Sequence, residues 1–417
     1  MQERILRRQE RERGPVLRSA LSRCIGVPTE RFADEFWGRT ALLSPANDDF
    51  TDLFSPAAVD ELVGRRGLRT PFVRLAHEGA VLEPGRFTSS GGFGAEVSDQ
   101  VSSDKVLAEF AAGATIVLQG LHRMWPPLVD FTRELVEELG HPAQVNAYVT
   151  PPSSQGFSPH YDTHDVFVLQ VSGEKHWVIH APVHPDPLKD QVWTDHKAAV
   201  ADAGRGEPVI DQVLRPGDAL YLPRGWIHSA TALGDTSIHL TIGMAAYTRA
   251  DVVDTLLSLV GDTESLRASL PLGIDVSDPD QLRPIVEETV ADLVRALSGT
   301  ADPAGLSARR LGARFGRDTR PEPVAPLATL AAITGLTEAT RVRWRPSLGG
   351  RVETAGDRVR ITARGTVLSL PVEAEDAIRA LRTGDPVAVG SLPGLDLASA
   401  LVVVRRLLRE GVVVTSQ

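Results

Sequence analysis

Cysteine occurs once, at Cys24, in a chain of 417 residues. No internal disulfide can form and clusters held by several thiolates are excluded, so a reducing, cytoplasmic setting is expected. Lysine is nearly as scarce: Lys105, Lys175, Lys189 and Lys197 stand among 44 basic residues, the rest arginine. That bias toward arginine, with abundant alanine, points to a GC-rich bacterial genome. Long apolar runs are missing too. Hydrophobic residues make up 42% of the chain and the mean hydropathy is -0.07, yet no run approaches the ~20 apolar residues that span a bilayer. No membrane association is expected. The opening stretch "MQERILRRQERERGPVL" has no apolar core of the kind a secretory leader needs, so export is not expected. Internal repeats and low-complexity tracts are absent. The length exceeds one ordinary core and predicts two or three domains.

Charge is spread unevenly. The whole chain carries -10, while residues 305–417 hold 17 Arg, no Lys and 11 Asp and Glu, a balance of +6 that leaves -16 for the remainder. Such a basic unit can meet nucleic acid or an acidic partner, or can simply be a solvated arginine-rich surface. The solvated surface is the expectation, and nucleic acid is not expected as a partner.

Residues 1–26 read as a basic N-terminal arm. The stretch "PPLVDFTRELVEELG" predicts a helix: Pro126 and Pro127 suit its start, Leu128, Phe131, Leu135 and Leu139 share a face, and Gly140 suits its end. Beyond it, "AQVNAYVTP", "DVFVLQV", "HWVIHA", "QVLRPGDALYLP" and "TSIHLTIGM" are short β-prone runs between Gly, Pro and Asp turns. They predict an antiparallel barrel or double sheet. "RADVVDTLLSLVGD" and "QLRPIVEETVADLVRALSG" predict amphipathic helices. "ADPAGLSARRLGARFGRDTRPEPVAP" reads as a linker, and the remaining helices and short strands are similar to a winged helix. The expected domains are 27–248 (mainly β), 249–304 (helical) and 305–417 (linker and winged-helix-like α+β).

Chemistry concentrates in "SPHYDTHDVFVLQVSGEKHWVIH". His160 and Asp162 are two apart, and on extended backbone such residues project to one face. His228 in "RPGDALYLPRGWIHSATAL" is the candidate third ligand. Two imidazoles and one carboxylate with open positions opposite are what non-haem Fe(II) oxygenases use. A plain His–Asp hydrogen bond is the bland alternative. Lys175 follows His160 by fifteen residues, just past "VSGEK", read here as a hairpin turn. A lysine inside an apolar barrel needs an anion or loses its proton, and a cosubstrate carboxylate would serve. The bland alternative is a turn lysine in water.

The run "NAYVTPPSSQGFSPHYDTHDVFVLQVSGEKHWVIH", with "PGDALYLPRGWIHSATAL" and "SIHLTIG", resembles the cupin/Jumonji C 2-oxoglutarate oxygenases. Within these it most resembles the ribosomal-oxygenase branch of ribosomal-protein arginine and histidine hydroxylases. The resemblance covers about residues 30–250. It implies a double-stranded β-helix (jelly-roll or cupin barrel) with flanking helices. It also implies Fe(II) on His160, Asp162 and His228, 2-oxoglutarate with its far carboxylate on Lys175, and O2 as co-reactant. Asn146 is implied in the cosubstrate site. Of Tyr148 and Tyr161, both candidates for a place near the site, Tyr148 is the better one for a hydrogen bond to the cosubstrate. On "TSIHLTIG" the family places a hydroxyl near the cosubstrate. Ser237 and Thr241 both remain open for it, with Thr241 kept in the candidate set. His239 reads as a packed histidine. His164 reads as lining the substrate mouth or as surface, and His176, His180 and His184 as sheet and loop residues. No acid or base beyond the metal centre is required. A helical dimerisation region followed by a winged helix is implied for the remainder, hence a homodimer.

Three functions follow. The first is hydroxylation of a side chain, Arg or His, of a protein such as a ribosomal protein. The second keeps the chemistry on a peptide or small molecule of specialised metabolism. The third is a non-enzymatic metal-binding cupin with a binding or regulatory role, against which the intact His160, Asp162, Lys175 and His228 argue.

Overall fold

A computed structural model describes residues 18–77, 79–152, 154 and 158–416. The chain divides between Ala246 and Tyr247 into two compact units. No helix among the described residues is long and apolar enough to cross a membrane.

The first unit is built on nine antiparallel strands: β1 (Leu42–Ser44), β2 (Val73–His77), β3 (Ala80–Val81), β4 (Thr115–Leu118), β5 (Ala143–Thr150), β6 (Asp165–His180), β7 (Ile210–Leu214), β8 (Ala219–Leu222) and β9 (Ile227–Met244). They are joined in the order β1-β8-β6-β9-β5-β4-β2-β3, with β7 added on β6. The helix Pro126–Leu139 begins on its two prolines, ends at a left-handed Gly140, and buries Leu128, Phe131 and Leu135. The arm expected over residues 1–26 needs correcting at its end; residues 1–17 lie outside the described residues. Ser19 caps a short helix, Ala20–Cys24, that buries Ala20, Leu21 and Cys24 in the core.

The long strands β6 and β9 make the barrel. They pair with one another from Asp165 opposite Met244 to His180 opposite Ile227. Side chains alternate as a period of two requires. Phe167 and Leu169 enter the main core opposite Ile242 and Leu240. Val166 and Val168 face the other way, with Trp177, Leu222 and Trp226.

The hairpin turn expected at "VSGEK" does not form. β6 runs on through it and kinks instead. Gly173 adopts φ +65°, and a Cβ there would sit 2.3 Å from the Thr236 carbonyl oxygen. The pairing shifts register at the same level, between Leu233 and His239. Gln170 fills the kink, its Nε2 donating to the carbonyls of Ser172 (2.9 Å) and Gly173 (3.0 Å) and to Ser237 Oγ (2.9 Å). A glycine in an apolar run reads as a reversal. Here both partner strands deform together, so the chain bends as at a bulge and continues.

The second unit opens with helices Arg249–Val260, Glu264–Arg267, Pro279–Gly299, Pro303–Asp318 and Pro326–Thr334. The linker expected at "ADPAGLSARRLGARFGRDTRPEPVAP" is thus corrected: most of it is the fourth helix. Asp302 caps it, accepting from Gly305 N at 2.9 Å. Arg314 holds it to the first helix by pairing with Asp251 and lying 5.1 Å over the Tyr247 ring. Then follow a three-stranded sheet (Arg341–Trp344 between Val387–Ala388 and Val413–Thr415), a three-stranded meander over residues 351–371, and helices Glu375–Leu381 and Leu397–Arg409. Their core includes Val342, Val359, Ile378 and Val404.

Gly173→Val combines a left-handed φ with a backbone clash and is expected to cost at least about 3 kcal/mol. Urea unfolding checks it; a variant as stable as the parent would show that the kink is not required.

Candidate active site

The metal-ligand candidates are brought together by backbone first. His160, just before β6, and His228, at the start of β9, exchange two main-chain hydrogen bonds, His160 N to His228 O at 3.2 Å and His228 N to His160 O at 2.8 Å. Gly225 N donates to Asp162 O at 2.9 Å, which ties the acid's segment to the "PRG" turn. Behind them Asp165 is buried, accepting from Tyr221 Oη (3.0 Å) and Arg224 N (3.3 Å). Burial pushes the Asp165 carboxyl up, with Arg224 and Tyr221 working against the shift.

His160, Asp162 and His228 each aim one ligand atom at a common point, all within 4.8 Å of one another. His228 Nε2 lies 3.8 Å from Asp162 Oδ2. Both imidazoles are oriented from behind: His160 Nδ1 bonds the Ser158 carbonyl at 2.8 Å and His228 Nδ1 the Trp226 carbonyl at 3.0 Å. With Nδ1 as the donor, each Nε2 carries the lone pair that a metal takes. Burial, then the neighbouring His160, pushes His228 down to about 4, so it is neutral at neutral pH. Burial works against the Asp162 carboxylate, but His228, His164 and His160 outweigh it and hold the group below its usual range. Two imidazoles and one carboxylate are a donor set that fits a divalent first-row ion. The structure brings these three sequence candidates together.

A cavity of about 350 Å³ runs from this triad to Lys175. Lys175 is buried and donates from Nζ to Thr150 Oγ1 at 3.1 Å, and Thr150 Oγ1 lies 3.4 Å from Thr115 Oγ1. Burial alone pushes the ammonium down to about 7. No carboxylate among the described residues pairs with it. A buried ammonium that leans on one hydroxyl is a site for an anion.

The other sequence candidates divide. Tyr148 and Thr241 line the cavity. Ser237 does not; its hydroxyl is taken by Gln170. Asn146 stands opposite Thr241 in the β5–β9 pairing, yet it is not on the cavity wall, and its Oδ1 accepts from Gly120 N at 3.1 Å. His164 packs against Gly243, where a Cβ would come 2.7 Å from its ring. His176 bonds Asp211, and His184 stacks on His196 at 4.7 Å.

Several wall residues escaped the sequence reading. Arg74 on β2 faces the cavity, hydrogen-bonds Tyr148 and draws on Asp162. Its one local signal is a charge between Val73 and Leu75 in a β pattern, which marks a residue facing away from the core. Thr115, Trp193 and His239 also line it. They come from segments whose facing is set only when the barrel closes.

With this geometry in hand, relatives can be placed. A family model for the JmjC domain matches residues 127–252, a span containing the triad and Lys175. The matched span carries strands β5 to β9 of the antiparallel core. Over 138 residues, 31% of the chain, it is 43% identical to a bifunctional lysine-specific demethylase and histidyl-hydroxylase NO66 of Drosophila persimilis, covering 19% of that protein. Over 336 residues, 76% of the chain, it is 29% identical to ribosomal oxygenase 1 of Rattus norvegicus, covering 53% of it. The chain therefore spans about half, or less, of the length of these relatives. Among solved structures, Escherichia coli YcfD is similar in fold across 94% of this chain and 99% of its own, at 18% identity and a TM-score of 0.55.

Proposed function

We propose that the chain is a 2-oxoglutarate- and Fe(II)-dependent oxygenase that hydroxylates a protein side chain. The observation that carries this is one cavity lined both by the three-residue donor set and by a buried, carboxylate-free Lys175. Bound Fe(II) and 2-oxoglutarate would supply the oxidising chemistry, consuming O2 and releasing succinate and carbon dioxide. His160, Asp162 and His228 would hold the iron. Lys175 would pair with the cosubstrate's far carboxylate, and Thr150 keeps the ammonium aimed. Tyr148 and Thr241 line the space between. Val166, Val168, Trp177 and Leu222 give apolar walls that keep water from the reacting centre. No side chain needs to act as acid or base in the oxidation itself.

For the substrate we infer a histidine or arginine side chain of a ribosomal protein. Two features support this. The similar proteins include one described as a histidyl-hydroxylase and one as a ribosomal oxygenase. The -16 balance outside residues 305–417 suits a basic partner. The buried, unpaired Cys24 suits a reducing cytoplasm. We read the second unit as a helical dimerisation region followed by a winged-helix-like domain. Supporting the dimer, the helix Pro279–Gly299 buries none of its residues. Val286, Val290 and Val294, four apart on one face, are 54%, 53% and 58% exposed.

Two experiments test these readings. Succinate release from 2-oxoglutarate, with Fe(II) and ascorbate, should be abolished by His160→Ala. In Lys175→Ala it should return only at roughly 10- to 100-fold higher 2-oxoglutarate, the loss expected for one charge-assisted contact. Equal succinate from the parent and His160→Ala would contradict the assignment. Sedimentation should give a dimer that Val290→Glu shifts toward monomer; a monomeric parent would remove the dimer.

A further inference from the structure

The cavity wall holds a histidine that the triad does not use. His239 is 3% exposed, and its Nδ1 has no hydrogen-bond partner among the described residues. It stands on β9 directly opposite Tyr148 on β5. The two rings stack at 5.1 Å with 3° between their planes. Trp177 closes on it edge-on, at 5.5 Å and 82°. Contacts on face and edge fix the imidazole in one orientation, an expensive arrangement for a ring with nothing to bond. Buried polar atoms without a protein partner are commonly satisfied by a bound molecule.

The neighbours say what that molecule is. His239 lines the same cavity as Lys175 and the triad. Burial, then the charge of Lys175, keeps the imidazole neutral, so it has one N–H to give and adds no second cation. Trp177 lies two residues beyond Lys175 on the same face of β6, and its Nε1 is also buried without a partner. The Trp177 ring in turn lies 6.1 Å from that of His228. Lys175, His239, Trp177 and His228 thus all stand on the wall of one cavity. An anion paired with Lys175 lies within the reach of His239.

We propose that His239 is a binding residue for 2-oxoglutarate, its imidazole N–H donating to the carboxylate that pairs with Lys175. This rests on the oxygenase reading above. Lys175 supplies the charge and His239 the direction. A neutral donor locked by two aromatic rings fixes where the far carboxylate sits, and so which chain length of keto acid reaches the triad.

The test uses the full chain loaded with Mn(II) without oxygen, so that binding is read without turnover. Calorimetric titrations compare 2-oxoglutarate with 2-oxobutanoate, which keeps the keto-acid end and lacks the far carboxylate. His239→Phe keeps the packing against Tyr148 and Trp177 and removes the N–H; His239→Gln restores a donor. The Phe variant should bind 2-oxoglutarate about 10- to 30-fold more weakly, while Mn(II) and 2-oxobutanoate stay within about twofold. The Gln variant should recover most of the loss. Should the Phe variant fail to fold, His239→Leu carries the same comparison. Unchanged 2-oxoglutarate affinity, or an equal loss for both keto acids, would overturn the role of His239 alone. A parent protein that takes up Mn(II) but not 2-oxoglutarate would overturn the oxygenase reading with it.

Discussion

A lysine ammonium buried in a barrel without a carboxylate is the constraint on which the rest depends. Lys175 is 3% exposed and pushed from 10.5 to about 7, which is roughly 5 kcal/mol against the charged form. A chain that only needed to fold would place an apolar residue there. Thr150 accepts from the ammonium, and Thr115 stands beside Thr150; neither neutralises the charge. In the proposed function a ligand supplies the missing charge, and with the triad on the same cavity wall that ligand is a metal-chelating keto acid with a second carboxylate. Each end gives the other its meaning. A His–Asp–His cluster alone could be a structural metal site, and a buried lysine alone could be a strained packing residue.

The two ends share one cavity because β6 and β9 are long and kinked together. The metal-end segments sit at Asp162–Asp165 and Trp226–His228, and the kink lies at Gly173, close to Lys175. Had the chain reversed at Gly173, the second half of β6 would have paired with the first. Instead both halves pair with β9, so Val166, Val168, Lys175 and Trp177 line the same cavity. The metal end is held more firmly. Reciprocal main-chain bonds between His160 and His228, and the Asp165–Tyr221–Arg224 cluster beneath, set the donors before any ion arrives.

Much of this was legible in the sequence, for a physical reason. The candidate metal ligands lie on short segments whose turns are written locally: "HYD" on extended backbone, and "RPGD" and "PRGW" as turns before His228. Lys175 was legible as a rare lysine in an apolar setting, although the turn invoked to bring it round was a kink. What could not be read is what distant strands contribute. Arg74 and Thr115 come from strands far from the motif, and only barrel closure decides which side they face. His239 reads as packing because half of its surroundings, Tyr148 and Trp177, arrive from two other strands. The helix Pro303–Asp318 was hidden by its glycines, proline and arginines. The contacts that stabilise it, Arg314 on Asp251 and on the Tyr247 ring, are made with residues more than sixty positions earlier.

The most direct test of the central claim is a proton count. At pH 8 a Lys175 with a pKa of about 7 is roughly nine-tenths neutral, whereas a lysine paired with a carboxylate is charged. Binding of 2-oxoglutarate to the Mn(II)-loaded protein at pH 8 should therefore draw nearly one proton from the buffer. That uptake is read as a dependence of the binding enthalpy on the buffer's ionisation enthalpy, and it should vanish in Lys175→Met. Affinity should also fall as pH rises above 7, since charging the lysine then opposes binding. Binding of 2-oxoglutarate with no proton uptake in the parent protein would contradict the account, because the buried lysine would not then be the group that receives the carboxylate.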